Sequence, residues 1–278
     1  MKMAYLFGPF VGDLSLELLS FAPHAIHIKK ENPDSKLIVY TRPERLDLYG
    51  KYADILIPLR IKNDSDILQH DYSLNGLSKK NYDKMVRLFK RKYRDHYKIE
   101  NHFYPDISNY RSKNKWQFTR HQLNYEFRPR SENNNLVKKF INLDKDNFII
   151  VDLSGLYLDE SFYFIETLDR LIDKNVKFVC YNPNNNDINL IFTSREIIDL
   201  SKLKFDINTS LIGCLIICLR KSLYTISTNF SDATQLSLLL GIKLVINRDY
   251  SSDFLNIINP LNTKVSKFIE FDTEKFEL

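Results

Sequence analysis

Short apolar runs alternate along the chain with longer segments in which apolar residues recur every three or four positions. In the first half the runs lie at residues 4–8, 36–43 and 54–59, and the segment at 14–31 has helical spacing. Runs without polar alternation are typical of strands that are covered on both faces of a parallel sheet. The first half is therefore predicted to be an α/β domain.

The second half repeats this layout, although no residue-level repeat is visible. Strands are predicted at 147–155, 176–182, 188–192, 223–228 and 243–249. Helices are predicted at 159–174 and 210–221, and residues 229–241 are predicted to form a loop and then a helix that ends at Gly241. Two βαβ units in each half predict two Rossmann-like, doubly wound domains that face a cleft. The polar stretch "RSENNN" at 130–135 is the linker candidate, which gives domains 1–135 and 136–278.

The middle of the chain, residues 79–130, differs from both halves in charge and in composition. It holds 15 Lys and Arg against 5 Asp and Glu, a balance of +10 in a chain whose net charge is +5. Its first part carries a helical stripe of aromatic and apolar residues: Tyr82, Met85, Val86, Phe89, Tyr93 and Tyr97. Three interpretations stay open: a solvated helix face, a contact with the acceptor or an anionic membrane surface, and a nucleic-acid groove.

Cysteine content and hydropathy point to the cytoplasm. Three cysteines, an odd number in 278 residues, argue against a disulfide framework. No apolar run approaches the roughly 18 residues of a transmembrane helix. We therefore expect a cytoplasmic protein without a transmembrane segment, with a peripheral membrane contact through residues 79–130 as an option.

A polar loop joins the predicted strand at 223–228 to the helix that follows it. Ser231 or Asp232 can cap this helix, and Thr234 or Gln235 lies three residues later, where a side chain can reach back. An ordinary helix cap accounts for these residues without any ligand. However, the loop also lies where α/β folds bind ligands, at the carboxyl edge of the sheet.

A helix N-terminus at that edge suits a diphosphate, because its N–H groups and its dipole favour anions. Thr228 and Asn229 lie in the same loop and add polar side chains. Ser154 and Gly155 form the matching turn after the first strand of the second half. A plain strand-to-helix turn explains that pair equally well.

The chain opens with a second glycine-containing loop, in "YLFGPFVGDLSL". Gly8 and Gly12 are expected to lie in this loop, where glycine lets the backbone turn sharply and approach a bulky ligand. Asp13 follows directly. A carboxylate at this place can cap the helix at 14–31 or can remove a proton from a hydroxyl group, and the two roles are compatible.

The two loops together resemble the GT-B glycosyltransferases, particularly the heptosyltransferase-like group. About 40 residues carry the resemblance in the second half, "SLIGCLIICLRKSLYTIS", "TNFSDAT" and "QLSLLLGIKLVI", against a family pattern of an Asn-Asp-Ser-Gly loop and a helix ending in Leu-Gly-Ile-Pro. In the first half, Gly12 and Asp13 fall on the family's Gly-Asp pair, and Pro23 and Lys29 match its later positions. Phe-Ser-Asp replaces Asp-Ser-Gly, and Lys243 stands where the family has proline.

The resemblance implies a glycosyltransferase that moves a hexosyl or heptosyl group from a nucleotide-diphosphate sugar to a hydroxyl of a glycan or other acceptor. In this interpretation domain 1–135 binds the acceptor, with Asp13 as general base and Gly8 and Gly12 in the acceptor-side loop. Domain 136–278 binds the donor. The donor-binding candidates are Ser154, Gly155, Thr228, Asn229, Ser231, Asp232, Thr234 and Gln235. No cofactor and no metal ion are expected.

The alternative function is a catalytically inactive module of GT-B type, or a protein that contacts DNA through its basic residues 79–130. A combination of the two interpretations is conceivable within the same fold, because DNA-base glycosyltransferases also have it. The salt dependence of DNA binding distinguishes these alternatives from a sugar transferase that ignores nucleic acid.

Overall fold

The computed structural model divides the chain into two compact units, Met1–Arg130 and Ser131–Leu278. The described residues are 2–10, 14, 17–59, 79–101, 127–183, 187–188, 195–206, 208–229, 231–247 and 268–271.

The first unit is built on a parallel sheet of four strands in the order β3-β2-β1-β4. Its strands are β1 (Lys2–Phe10), β2 (Lys36–Thr41), β3 (Ile55–Pro58) and β4 (Tyr97–Asn101), and its helices are α1 (Ala22–Glu31) and α2 (Lys79–Tyr93). A π-helical turn, Glu17–Phe21, leads into α1. The chain steps from β1 to β2 and β3, and β4 then pairs with the other side of β1 in the Rossmann manner.

Apolar side chains from both sides of this sheet explain its strands. Ala4, Leu6 and Ile38 are buried in one cluster with Phe89 of α2, whose apolar stripe lies against β1 and β4. The predicted helical stripe ends earlier than expected. Tyr97 does not belong to it, because the chain turns after Tyr93 and residues 97–101 pair with β1 as a strand.

The second unit contains a parallel sheet of six strands in the order β10-β9-β8-β5-β6-β7. Its strands are β5 (Phe148–Asp152), β6 (Lys177–Tyr181), β7 (Ile197–Asp199), β8 (Thr225–Ser227), β9 (Leu244–Asn247) and β10 (Phe268–Phe271). Its helices are α3 (Ser131–Val137), α4 (Leu158–Leu171), α5 (Leu211–Leu219) and α6 (Asp232–Leu239). The strand order reverses between β5 and β8, which is the topological switch point of a doubly wound sheet.

The core of this unit lies between α4 and the sheet. Ile149, Val151 and Phe178 of the strands are buried against Phe164 and Leu168 of α4. Because β5 is buried along its whole length, it has no polar alternation, as its sequence indicated. The predicted strand at 188–192 lies mostly outside the described residues, and β7 takes the sheet edge at Ile197–Asp199 instead.

The predicted linker at 130–135 is a helix. Residues Ser131–Val137 form α3, which packs on α5, and the buried amide of Asn133 accepts a hydrogen bond from Ser210 N at 2.8 Å. The polar composition of residues 130–135 predicted a loop. The contact between Asn133 and Ser210 instead holds this segment as a helix against α5. The boundary between the units therefore falls between Arg130 and Ser131.

Within the described ranges, no helix is both long enough and apolar enough to cross a bilayer.

Candidate functional site

The candidate site lies at the switch point of the second unit, where the loops after β5 and β8 meet. Asp152 ends β5, and its carboxylate is fully buried between the two loops. Its Oδ1 accepts a hydrogen bond from Ser154 N at 3.0 Å, and its Oδ2 accepts from Ser227 Oγ at 2.7 Å and from Ser231 Oγ. One carboxylate therefore holds both loops in place.

Burial raises the pKa of Asp152 above its ordinary value of 3.8, and the hydrogen bonds from Ser231, Ser154 and Ser227 act in the opposite direction. The hydroxyl donors thus replace part of the water that an ionised carboxylate would need. The prediction from sequence missed Asp152. A polar residue that ends a fully apolar strand was the available signal.

A second contact joins the same loops through Asn229. The Nδ2 atom of Asn229 donates to the carbonyl oxygen of Ser154, and the backbone N–H of Asn229 donates to Ser227 Oγ at 3.2 Å. Gly155 makes this contact possible. It has φ of +76°, and a Cβ at this position would overlap the Asn229 amide nitrogen. Glycine is thus required for both its conformation and its lack of a side chain.

Ser231 is the N-cap of α6. Its hydroxyl oxygen accepts from Ala233 N at 3.1 Å and from Thr234 N at 3.3 Å, and Thr234 Oγ1 accepts from Ser231 N at 2.7 Å. The expectation that the first N–H groups of this helix lie open to a ligand is therefore wrong for Ala233 and Thr234. The capping box satisfies them internally.

The remaining donor candidates have different surroundings. Asp232 lies in the first turn of α6 and accepts a hydrogen bond from the Tyr181 hydroxyl at 3.2 Å. Gln235 is buried, and its backbone N–H donates to Ser231 O. Three side-chain atoms of the two loops, Ser154 Oγ, Thr228 Oγ1 and Asn229 Oδ1, are buried and have no hydrogen-bond partner in the described part of the chain. The structure thus brings the donor-side candidates Ser154, Gly155, Thr228, Asn229, Ser231, Asp232, Thr234 and Gln235 to one edge of the sheet.

Of the acceptor-side candidates, only Gly8 is described; Gly12 and Asp13 lie outside the described residues. The sequence pattern predicts Gly8 in a loop. In the structure it lies inside β1 instead. Its φ is +97°, and a Cβ would overlap the carbonyl oxygen of Tyr40 on the neighbouring strand. The register between β1 and β2 shifts between Phe7 and Phe10, so glycine is explained here by the close approach of two strands.

A buried carboxylate also lies in the first unit, four residues after Asp13. Glu17 accepts from Thr41 Oγ1 and from the Tyr49 hydroxyl, both at 2.6 Å, and from Arg45 Nη1 at 3.1 Å. Burial raises the pKa of Glu17, and the charge of Arg45 opposes this effect. These bonds anchor the turn at Glu17–Phe21 to the residues that follow β2.

No metal-binding cluster of His, Cys, Asp and Glu occurs among the described residues. The cysteines Cys180, Cys214 and Cys218 are buried, and burial raises the pKa values of the Cys180 and Cys218 thiols. They are core residues of the second unit.

Comparisons with known proteins show similarity in fold. No protein-family model matches the sequence, and the comparison with curated proteins gives no match. Among solved structures, the glycosyl transferase family 9 protein from Veillonella parvula is similar over 97% of this chain and 86% of that chain, with 13% identity and a TM-score of 0.58. The E. coli heptosyltransferase WaaC with ADP is similar over 88% of this chain and 87% of that chain, with 9% identity and a TM-score of 0.47.

The similarity to the Veillonella parvula structure and the two parallel sheets agree with the fold that the loop patterns predicted. An identity of 13% describes shared architecture and not shared residues. The chain therefore has a GT-B fold, with two α/β units of Rossmann type.

Proposed function

We propose that this protein is a glycosyltransferase that moves a sugar from a nucleotide-diphosphate sugar to an acceptor hydroxyl. The observation that carries the proposal is the switch point of the second unit. There, buried polar atoms of Thr228 and Asn229 have no hydrogen-bond partner among the described residues, at the edge where doubly wound sheets bind ligands. The GT-B fold supports the same conclusion.

Two groups of residues contribute differently to donor binding in this proposal. Ser154, Gly155, Thr228 and Asn229 contact the donor from the two loops. Ser231 and Thr234 act indirectly, because their hydroxyls already bind Asp152 and the helix cap. Asp232 and Gln235 also belong to the donor side. The carboxylate of Asp232 accepts hydrogen bonds from neutral hydroxyls of the donor, as it accepts one from the Tyr181 hydroxyl. A carboxylate in that place would repel a phosphate.

The reaction needs a base on the acceptor side, and we assign this role to Asp13. The acceptor oxygen attacks the anomeric carbon and forms a new C–O bond, while the bond from that carbon to the diphosphate oxygen breaks. The hydroxyl proton moves to the Asp13 carboxylate, and the nucleoside diphosphate leaves. The dipole of α6 and the loop hydroxyls stabilise the leaving group, and no metal ion takes part. In this proposal Gly12, which precedes Asp13 in the sequence, belongs to the acceptor side.

A thermal-shift screen tests the donor class directly. Nucleotide-diphosphate sugars and free nucleoside diphosphates are added to the full chain, with and without EDTA. A ligand at 100 times its dissociation constant stabilises the folded state by about 2.7 kcal/mol, enough to move the melting temperature measurably. Stabilisation by a nucleotide sugar that EDTA leaves unchanged is the expected result. A chain that none of these ligands stabilises is not a glycosyltransferase of this kind.

Calorimetry on variants assigns the binding to the switch point. Asn229→Ala and Ser231→Ala are expected to weaken binding, the first by loss of a contact and the second by loss of the loop's anchor at Asp152. Asn175→Ala is the matched control, since Asn175 is exposed in the turn between α4 and β6, away from the carboxyl edge of the sheet. Unchanged affinity in both site variants would leave the loop as an ordinary helix cap.

Helix α2 favours one alternative function, contact with nucleic acid. Its Arg87 and Lys90 to Lys92 are exposed, and Leu88 on the same side is 58% exposed. Charge reversal at Lys90 and Arg91 in the full chain, followed by titration with single-stranded and duplex DNA at several salt concentrations, tests this alternative. A steep salt dependence that the reversal abolishes supports a nucleic-acid-binding protein, and weak, salt-independent binding rejects it.

A further inference from the structure

The orientation of the Asn229 amide determines which kind of group it offers to a ligand. The carbonyl oxygen of Ser154 can only accept a hydrogen bond, so the nitrogen of the Asn229 amide must be the atom that faces it. The oxygen Oδ1 is therefore the free end of the amide, and it is buried with no hydrogen-bond partner among the residues that the structure describes. An amide oxygen accepts hydrogen bonds and cannot donate them, so Oδ1 needs a ligand that carries O–H or N–H groups.

A phosphate cannot satisfy this atom, because an ionised phosphate also only accepts hydrogen bonds. The orientation therefore favours a contact of Asn229 Oδ1 with a hydroxyl or amine of a ligand over a contact with its diphosphate. Thr228, the preceding residue, also has a buried hydroxyl without a partner. A hydroxyl can donate and accept, so Thr228 and Asn229 together suit a ligand with several hydroxyl groups.

A pocket of about 410 Å³ opens beside Thr228, along one face of α4. Its walls are mostly apolar, with a few polar groups, and they include Asp159, Glu160, Tyr163, Phe164, Thr167 and Thr228. The volume lies in the range of small-molecule sites. Residues 160, 163 and 167 follow helical spacing, so the regular geometry of α4 aligns them.

The chemistry of this pocket excludes some ligands. Among its described lining residues none is Lys or Arg, and two carry carboxylates. An anionic sugar would meet repulsion without compensation. The ring of Tyr163 is 72% exposed, whereas Phe164 below it is only 6% exposed. An exposed aromatic ring beside carboxylates suits an uncharged sugar, which has an apolar face and hydroxyl donors.

We infer that Asn229 Oδ1, the Thr228 hydroxyl and the Asp159 carboxylate form a subsite for an uncharged, hydroxyl-bearing sugar ring of the donor, with Tyr163 against its apolar face. This inference rests on the proposed function and deepens it. Two rings of a nucleotide sugar share this chemistry, the transferred sugar and the ribose. An acidic transferred sugar is excluded from the subsite.

The test compares two substitutions at Asp159 in the full chain. Asp159→Leu removes both acceptor oxygens, and Asp159→Asn retains one. Glu160 is a poorer choice, because its Oε2 also accepts the N–H of Tyr157 at the start of α4. The matched control is Glu166→Gln, an exposed carboxylate on the same helix that does not line the pocket. Melting temperatures without ligand verify that all variants fold.

Calorimetry then measures the affinities for UDP-glucose, ADP-glucose and GDP-mannose and for free UDP, ADP and GDP. For the nucleotide that the wild-type chain binds, Asp159→Leu and Asn229→Ala are expected to lower the affinity for the nucleotide sugar about 10-fold or more. Asp159→Asn is expected to lower it less. Glu166→Gln leaves the affinity unchanged. If the variants bind the free nucleoside diphosphate as tightly as the wild type does, the subsite holds the transferred sugar. If they lose as much affinity for the free nucleoside diphosphate as for the nucleotide sugar, the subsite holds the ribose.

Other results overturn the inference. Wild-type affinity in Asp159→Leu, or an equal loss in Glu166→Gln, would show that the pocket does not bind the donor, while a loss in Asn229→Ala alone would leave the proposed function standing. A wild-type chain that binds none of the six nucleotides would overturn the proposed function and this inference together.

Discussion

Asp152 and Asn229 are single side chains whose roles depend on partners far away in the sequence. Asp152 bonds to Ser227 and Ser231, which lie 75 and 79 positions further along the chain. Asn229 reaches back to Ser154. Neither contact follows from the local sequence, yet together they decide which atoms of the two loops remain for a ligand.

Asp13 is the residue on which catalysis depends in the proposed function. We expect Asp13→Asn to preserve folding and donor affinity and to lower turnover by about 10²–10⁴-fold, because the acceptor hydroxyl loses its proton acceptor. Single-turnover rates with the donor found in the thermal-shift screen provide the measurement. Normal turnover in the variant would leave Asp13 with a structural role alone.

Asp54 makes the stability of the first unit sensitive to acid. Partial burial alone raises the pKa of Asp54, but hydrogen bonds from Lys36, from the Leu37 N–H and from Lys29 outweigh it and lower the pKa from 3.8 to about 2. A lowered pKa in the folded state contributes stability that is present above about pH 4 and is lost as the pH falls towards about 2.

Urea unfolding of the wild type and Asp54→Asn between pH 7 and pH 2 isolates this contribution. The variant is expected to be less stable by about 1 kcal/mol at pH 7, a value discounted for the partial exposure of the pair. The difference in unfolding free energy should shrink as the pH falls below about 4. A difference that stays constant to pH 2 would contradict the lowered pKa.

The loops after β5 and β8 contact each other in the second unit. Gly155 permits this contact, because a side chain there would overlap Asn229. Gly155→Ala is expected to reduce donor affinity, because the new Cβ would overlap the amide of Asn229. It should also lower the free energy of unfolding by more than 1 kcal/mol, since positive φ alone costs an alanine roughly 1–2 kcal/mol.

Gly241→Ala separates the cost of positive φ from the cost of the overlap with Asn229. Gly241 also has positive φ, +69°, but a Cβ there has nothing within 4 Å. Chemical denaturation should therefore show the larger loss of stability in Gly155→Ala, and calorimetry should show a loss of affinity in that variant alone. Equal effects of the two substitutions would mean that the overlap with Asn229 is relieved easily.

At the scale of the whole molecule, the chain divides into two units between Arg130 and Ser131, five residues before the boundary that the linker motif predicted. The buried Asn133 of α3 accepts the Ser210 N–H at the start of α5. A fragment of residues 131–278 is expected to be more stable than one of residues 136–278. The shorter fragment loses most of α3 and this acceptor.

Asn133→Ala in the full chain provides the matched comparison. It removes the acceptor for a buried N–H group, which costs about 1–3 kcal/mol. Denaturation of the second unit, followed by circular dichroism, measures both effects. If the fragments are equally stable and Asn133→Ala has no effect, α3 is not part of the second unit.

The sequence by itself determined the fold class, because a strand that is buried on both faces of a parallel sheet has apolar residues at successive positions. The positions of β2, β5, β6 and β9 follow from such runs within a few residues. It also placed most donor-side candidates correctly at the carboxyl ends of β5 and β8, since that edge follows from the order of strands and helices.

Only the tertiary structure decided how these residues are used. The turn at Tyr97, the helix at Ser131–Val137 and the place of Gly8 inside β1 depend on packing against distant segments, which no local pattern records. The same holds for the site. Ser231 looked like a ligand-binding hydroxyl but is held by Asp152, and the amide nitrogen of Asn229 is bound to the Ser154 carbonyl, which leaves its oxygen as the acceptor atom. Hydrogen bonds between residues 79 and 75 positions apart fix these two outcomes, because each selects one orientation of a side chain whose local conformation allows several.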